Sequence, residues 1–420
     1  MSAMEPLEAL DHGMLRFLTA GSVDDGKSTL IGRLLYDTKA ILADQLAAIE
    51  RTSQRRGQTL DLSLLTDGLV AEREQGITID VAYRYFATGL RKFIVADAPG
   101  HEQYTRNMVT AASTAQLAIL LVDARHGIVT QTRRHALLAS LLGIPHLVVA
   151  VNKMDLVSYR ANVFAAIVAD FLVFAERSGI AGVRFVPLSA LEGDMVVERG
   201  DQLGWYDGPT LLQILETAEV PATPVSAPFR MPVQYVSRPT SSAPRGYMGR
   251  VESGSISVGD RVRVLPSGRA TEVRELRTPE GQQRCAGLHA ALTLTLADEL
   301  DISRGDLIVR DDRAPESRRA LDATLCWLGD APLDPARKYL LRHTTREVRA
   351  RVDHVEYRWN VSTQSREPAP SQLAMNDIAR VALTLAQPVF PDRYVDNRAT
   401  GSFILIDEAT NNTVAAGLVQ

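Results

Sequence analysis

Residues 21–28 read Gly-Ser-Val-Asp-Asp-Gly-Lys-Ser, a glycine-framed turn between an apolar run and an amphipathic one. Few short sequences restrict a fold as tightly. The spacing G-x-x-x-x-G-K-[ST] lets backbone N–H groups converge on a polyphosphate while the following helix aims its positive end at the same point. That geometry needs a strand before it and a helix after it. The flanks supply both, Leu15–Ala20 as a buried strand and Ser28–Leu35 as a helical pattern. The residues expected to contact nucleotide are Gly21, Ser22, Val23, Asp24, Asp25, Gly26, Lys27 and Ser28. Lys27 is suited to bridge the β- and γ-phosphates, and the Ser28 hydroxyl to ligate Mg2+.

The remainder of the first half repeats the alternation. Phe93–Ala96, Leu117–Val122, Leu147–Val151 and Val183–Pro187 are near-continuous apolar runs, with helical patterns between them at Thr130–Leu142 and Tyr159–Ser178. Such runs suit a mostly parallel sheet covered by helices on both faces. At Val220–Pro228 three prolines fall within nine residues, which marks a stiff linker rather than an element. Beyond it come short strands and turns. Tyr247–Glu252, Ser255–Val258 and Asp260–Leu265 are punctuated by Gly254, Gly259 and Pro266-Ser267-Gly268, and Glu347–Arg358, Ile378–Ala386 and Phe403–Asp407 form a later set. The expected fold is an α/β P-loop nucleotide-binding domain over residues 1–219, a linker over 220–228, and two small antiparallel β-barrels over 229–313 and 314–420.

Four further motifs accompany the P-loop. Asp97-Ala98-Pro99-Gly100-His101 follows an apolar strand; its carboxylate would stand in the crevice at the sheet's C-terminal edge and hold the Mg2+ hydration shell, and the Gly100 N–H would sense the γ-phosphate. Asn152-Lys153-Met154-Asp155 follows the next strand but one. Asp155 can accept both N1–H and N2–H2 of guanine, a pair that adenine lacks, Asn152 can reach the other edge of the base and the Lys153 stem can pack on its face, so the nucleotide is expected to be GTP. Ser189-Ala190-Leu191 can add a backbone N–H for the guanine O6. Between P-loop and Asp97 lies Gln75-Gly-Ile77-Thr78-Ile79-Asp80, where Thr78 would close over Mg2+ in a segment ordered by the triphosphate.

The order of these motifs resembles the translational elongation-factor class of GTPases, and His101 after D-x-P-G is the mark of that class. Closer still, residues 21–37, 97–108 and 400–407 (Thr-Gly-Ser-Phe-Ile-Leu-Ile-Asp) are similar to the GTPase subunit of bacterial sulfate adenylyltransferase, and 246–260 match the second-domain barrel of both groups. The resemblance spans nearly the whole chain. It implies a two-subunit enzyme in which a smaller catalytic partner joins ATP and sulfate into adenosine 5′-phosphosulfate and pyrophosphate, driven by GTP hydrolysis on this chain. It also implies that His101 orients the attacking water beside an apolar gate of Val23 and Ile77, and that Asp24 helps hold a monovalent cation such as K+.

Composition and absences narrow the alternatives. Lys plus Arg number 46 against 50 Asp plus Glu, a net charge of −4, so the chain lacks the basic excess expected of a nucleic-acid carrier. A factor delivering aminoacyl-tRNA shares the fold, the motifs and the barrel marks; Asp25 and Ser28 in the P-loop and the Phe403–Asp407 run weigh against it, as does the charge. A regulatory scaffold with negligible turnover is opposed by the intact His101. The eight histidines contain no His-x-x-His or His-x-Gly-His grouping, and no second P-loop follows residue 230, so neither adenylyl transfer nor a fused kinase is expected here. His343, Arg349, His354 and Arg358 lie on β-pattern segments and are expected on a solvated barrel face. Only Cys285 and Cys326 occur, and neither a secretory leader nor a bilayer-length apolar run is apparent, so a reducing cytoplasm is expected, with no membrane or nucleic-acid partner.

Overall fold

The structure, a computed structural model, describes residues 13–41, 44, 46–47, 49, 51, 61–65, 80–101, 104–220, 227–238, 240, 244–368, 370 and 372–420. Two compact units result, one holding a mixed sheet and the other both barrels. Ile77 and Thr78 lie outside the described residues.

The first unit is built on six strands: β1 (Met14–Ala20), β2 (Ala82–Ala87), β3 (Lys92–Asp97), β4 (Leu117–Asp123), β5 (His146–Asn152) and β6 (Val183–Pro187). Their order is β2-β3-β1-β4-β5-β6, with β2 antiparallel at the edge and all other pairs parallel. Every residue of β4 is buried, as a central strand covered on both faces requires. The chain leaves β1 toward β3 on one side and later toward β4 on the other, so the crevice of a doubly wound sheet opens beyond the end of β1. Register aligns the strand ends, Thr19 opposite Asp97 and Asp123 opposite Asn152.

Helix boundaries follow local chemistry. The helix Lys27–Asp37 starts after Gly26, whose φ of 91° suits glycine. A helical start at Tyr159 is not realised, because Ser158 and Tyr159 take φ of 54° and 52°; a 3-10 turn Met154–Val157 comes first and the helix runs Ala161–Ser178. The helix after His101 spans Thr105–Ala112. The last helix, Leu211–Thr217, begins with a Thr210/Gln213 capping box, and buried Arg91 donates to the carbonyls of Leu215 and Ala218 at 2.9 and 2.6 Å at its other end.

In the second unit the strands are β7 (Arg230–Ser237), β8 (Gly246–Arg250), β9 (Ile256–Ser257), β10 (Arg261–Leu265), β11 (Arg269–Thr278), β12 (Gly281–Gln283), β13 (Cys285–Ala286), β14 (Ala291–Leu296), β15 (Leu307–Arg310), β16 (Arg318–Trp327), β17 (Tyr339–His343), β18 (Arg346–Asn360), β19 (Ser365–Pro368), β20 (Ile378–Val389), β21 (Ser402–Asp407) and β22 (Thr413–Val419). The order β10-β15-β7-β8-β14-β11 closes through β10–β11, and β17-β21-β22-β16-β20-β18 closes through β17–β18. Each is a six-stranded antiparallel barrel with its own apolar core. A small cluster of Leu265, Leu307, Val309 and Phe390 joins them, beside a buried fork in which Arg230 donates to both Asp392 oxygens at 3.0 Å.

One expectation for the barrels fails. His343 is not on a solvated face; it is buried and its Nε2 lies 2.6 Å from the Thr400 carbonyl, because β17 turns Tyr339, Leu341 and His343 inward together. Arg349 and His354 do lie on the solvated face, Arg349 paired with Glu408, and half-buried Arg358 pairs with Glu367 and Asp377.

Candidate active site

The strand ends bring four motifs into one crevice. In the P-loop, Lys27 is buried and donates to the carbonyls of Gly21 at 3.1 Å and Ser22 at 2.6 Å. Burial lowers its pKa, and the negative charges of Asp97, Asp25 and Asp24 oppose that. The buried Asp25 carboxylate turns into the loop and accepts the Ser22 N–H at 2.5 Å; burial raises its pKa and the Lys27 charge lowers it. Asp24 (φ 66°) and Val23 are exposed at the loop's rim. A Cβ on Gly26 would run into the Asn152 amide, and one on Gly100 into the Lys27 ammonium and, at 2.6 Å, the Gly21 carbonyl. Only glycine permits either approach.

Asp97, at the end of β3, is buried and accepts the Thr19 hydroxyl at 3.3 Å. Ala98 and Pro99 carry the chain to Gly100, and His101, half-buried, tilts its ring 5.9 Å from that of Tyr104. Among the described residues no group of three or more His, Cys, Asp or Glu is arranged to hold a metal. Ser28 and Asp97 fit instead the sparse protein share of a Mg2+ site, where phosphates and water supply the other ligands.

The base end of the crevice is tightly stitched. Asn152 is buried and spans two motifs, its Nδ2 donating to the Asp25 carbonyl at 2.8 Å and its Oδ1 accepting the Ala190 N–H at 2.9 Å. The Ser189 hydroxyl donates to Asp155 Oδ1 at 2.6 Å, aiming that carboxylate. Met154 is buried beneath, and its N–H bonds the Leu188 carbonyl. Lys153 (φ 61°) turns its side chain back over the P-loop, where the ammonium donates to the Asp24 carbonyl and pairs with Asp123 Oδ2 at 3.0 Å.

Neither Asp123 nor Arg33 is among the site residues expected from the sequence. Arg33, two turns into the helix that leaves the P-loop, donates through Nε to the Ala190 carbonyl at 3.2 Å and through Nη2 to that of Leu191. Its helical position gives no hint of this. Asp123 did carry a signal, a carboxylate ending an apolar strand just as Asp97 does.

This fold and crevice define a P-loop GTPase of the translational elongation-factor type. The profile described as "Elongation factor Tu GTP binding domain" matches residues 12–221, with "Elongation factor Tu domain 2" at 247–309 and "GTP-eEF1A C-terminal domain-like" at 320–420. Among solved structures, the S. cerevisiae Ski7 GTPase-like domain bound to GTP shares the fold at 16% identity and a TM-score of 0.55, covering 98% of each chain. Among curated proteins, "Sulfate adenylyltransferase subunit 1" of Laribacter hongkongensis is 54% identical over 97% of this chain and 85% of its own length. The same-named protein of Alteromonas mediterranea is 51% identical over 100% and 89%. "Bifunctional enzyme CysN/CysC" of Mycobacterium tuberculosis is 54% identical over 97% and 67%. The chain belongs to the sulfate adenylyltransferase subunit 1 family.

Proposed function

We propose that this chain binds and hydrolyses GTP and that the hydrolysis drives a smaller partner subunit to form adenosine 5′-phosphosulfate and pyrophosphate from ATP and sulfate. The observation that carries the nucleotide part is the stitching by Asn152, which joins the phosphate loop, the N-K-x-D turn and the Ser189–Leu191 loop around one crevice. Family membership supports the role in sulfate activation.

In this reading the P-loop N–H groups cradle the phosphates, and Lys27, steadied by two loop carbonyls, directs its remaining donor at them. Ser28, Asp97 (through water) and Thr78 would hold Mg2+, which would supply positive charge against the phosphates. Asp155, aimed by Ser189, reads the guanine edge; the Ala190 N–H already bonds Asn152 Oδ1, so the N–H for O6 comes from the next residue of that loop, Leu191. Gly100 lies against Lys27, so a terminal phosphate seated between them parts the two loops. His101 orients the attacking water, with Val23 and Ile77 as an apolar gate that excludes others. Asp24, exposed at the rim, holds K+; equal GTPase rates in potassium and bulky organic-cation buffers would reject that role.

The test is pyrophosphate release from ATP and sulfate by the chain with its partner subunit, with and without GTP. Release that rises with GTP and falls with a non-hydrolysable analogue is expected. GTP-independent release sinks the coupling, and tight aminoacyl-tRNA binding would replace it with a carrier role.

A further inference from the structure

We propose that Asp123 is a positioning residue for the nucleotide, whose buried carboxylate fixes the Lys153 ammonium against the P-loop and thereby sets how long a guanine nucleotide stays bound. The inference rests on the guanine-nucleotide reading of the crevice.

Asp123 ends β4 with only 2% of its side chain exposed, level with Asn152 on β5. A carboxylate there is costly unless paired. Burial alone would raise its pKa, but hydrogen bonds from Arg125 and Lys153 outweigh that and hold it well below the usual carboxylate range. Arg125 clasps it through Nη2 at 2.6 Å, Nε at 3.0 Å and the backbone N–H at 2.9 Å. That clasp satisfies a local turn and keeps Arg125 at the surface, 43% exposed. Lys153 also reaches that oxygen, and unlike Arg125 and the exposed His126, whose Nδ1 lies 3.8 Å from Oδ2, it does not serve the turn. Its ammonium lies 3.0 Å from Asp123 Oδ2 and also donates to the Asp24 carbonyl, so it joins the end of β4 to the phosphate loop.

The consequence is mechanical. Lys153 leaves the end of β5 with a left-handed backbone and is tethered again at its tip, so its four-carbon stem is a strut across the crevice mouth. A free lysine stem would lose its rotamer freedom when a purine packs on it; a strut has lost it already. Ordering of this kind acts chiefly on the dissociation rate.

Release of a fluorescent GDP analogue, followed by stopped flow on the full-length chain, tests this. Asp123→Asn is expected to speed release about tenfold, the scale of one charge-assisted hydrogen bond. Lys153→Met should do the same, and the double variant should release no more than about twofold faster than the quicker single one. Arg125→Ala should stay within about twofold of the unaltered chain, since Lys153 keeps its carboxylate. Effects that multiply in the double variant, an unchanged rate in Asp123→Asn, or an Arg125→Ala rate equal to that of Asp123→Asn would overturn the proposal. Asp123→Ser combined with Arg125→Ala removes the carboxylate without stranding the guanidinium and carries the same tenfold expectation if Asp123→Asn fails to fold. Absence of GDP binding by the unaltered chain overturns the site reading instead, and is seen before any variant is compared.

Discussion

Asn152→Ala separates a stitched crevice from a set of loops that merely lie near each other. The substitution removes two hydrogen bonds, at 2.8 Å to the Asp25 carbonyl and at 2.9 Å from the Ala190 N–H, both in a site where Asn152 is 2% exposed. Each bond contributes about 1 kcal/mol net, and stranding a buried donor and acceptor adds to that, so the loss is about 2–4 kcal/mol. For a unit near 200 residues each kcal/mol moves the midpoint by about 2–4 °C, giving a fall on the order of 10 °C. The assay is thermal unfolding of the nucleotide-free chain followed by circular dichroism. Asn152→Asp is the companion variant: it keeps the acceptor for Ala190 but sets an oxygen against the Asp25 carbonyl, and it should be destabilised as well. GDP release should quicken in both. A midpoint for Asn152→Ala within 1 °C of the unaltered chain would refute the reasoning.

Asp155→Asn exchanges an acceptor for a donor at the purine edge and should shift preference from GTP toward xanthosine triphosphate; competition binding that still favours GTP would remove Asp155 from the base site. His101→Ala should bind GTP normally and hydrolyse it about a hundredfold to a thousandfold more slowly in single-turnover assays, and normal turnover would assign the water to another group. His135 gives a pH signature. Its ring is fully buried, and burial, reinforced by the Lys27 and Arg134 charges, pulls its pKa down to about 3 from 6.5. The unfolded chain therefore binds the proton more readily, so stability is complete above about pH 6.5 and falls as pH drops toward 3. Between pH 6.5 and 5 the loss is about 2 kcal/mol by urea unfolding, and His135→Met should flatten it; parallel pH slopes would refute the assignment.

Much of the first unit was legible because its chemistry demands fixed spacing. A glycine-framed loop with Lys27 admits little besides strand–loop–helix, and Asp97 and Asn152 sit at the ends of apolar runs that nothing but a parallel sheet uses well. Asp123 and Lys153 lie 30 positions apart and meet only because β4 and β5 align Asp123 with Asn152. No local pattern carries that register. In the barrels, β7, β11–β15, β19 and β22 are not among the strands read from the sequence: β22 mixes Ala and Gly with its apolar residues and is buried on successive positions, so alternation is faint. His343 was judged by its charge, although its two-residue spacing from Tyr339 and Leu341 already put it indoors.

Gly100 rests against Lys27, while the guanine end of the crevice is held by Asn152 and Ser189 whatever stands at the other end. On the proposed function such a crevice would grip the purine equally before and after the bond is cut, so the nucleotide need not leave for the cleavage to be felt. On that reading only the far phosphate would wedge the loops apart, and its loss would let them shut, turning the breaking of one P–O bond into the width of a gap.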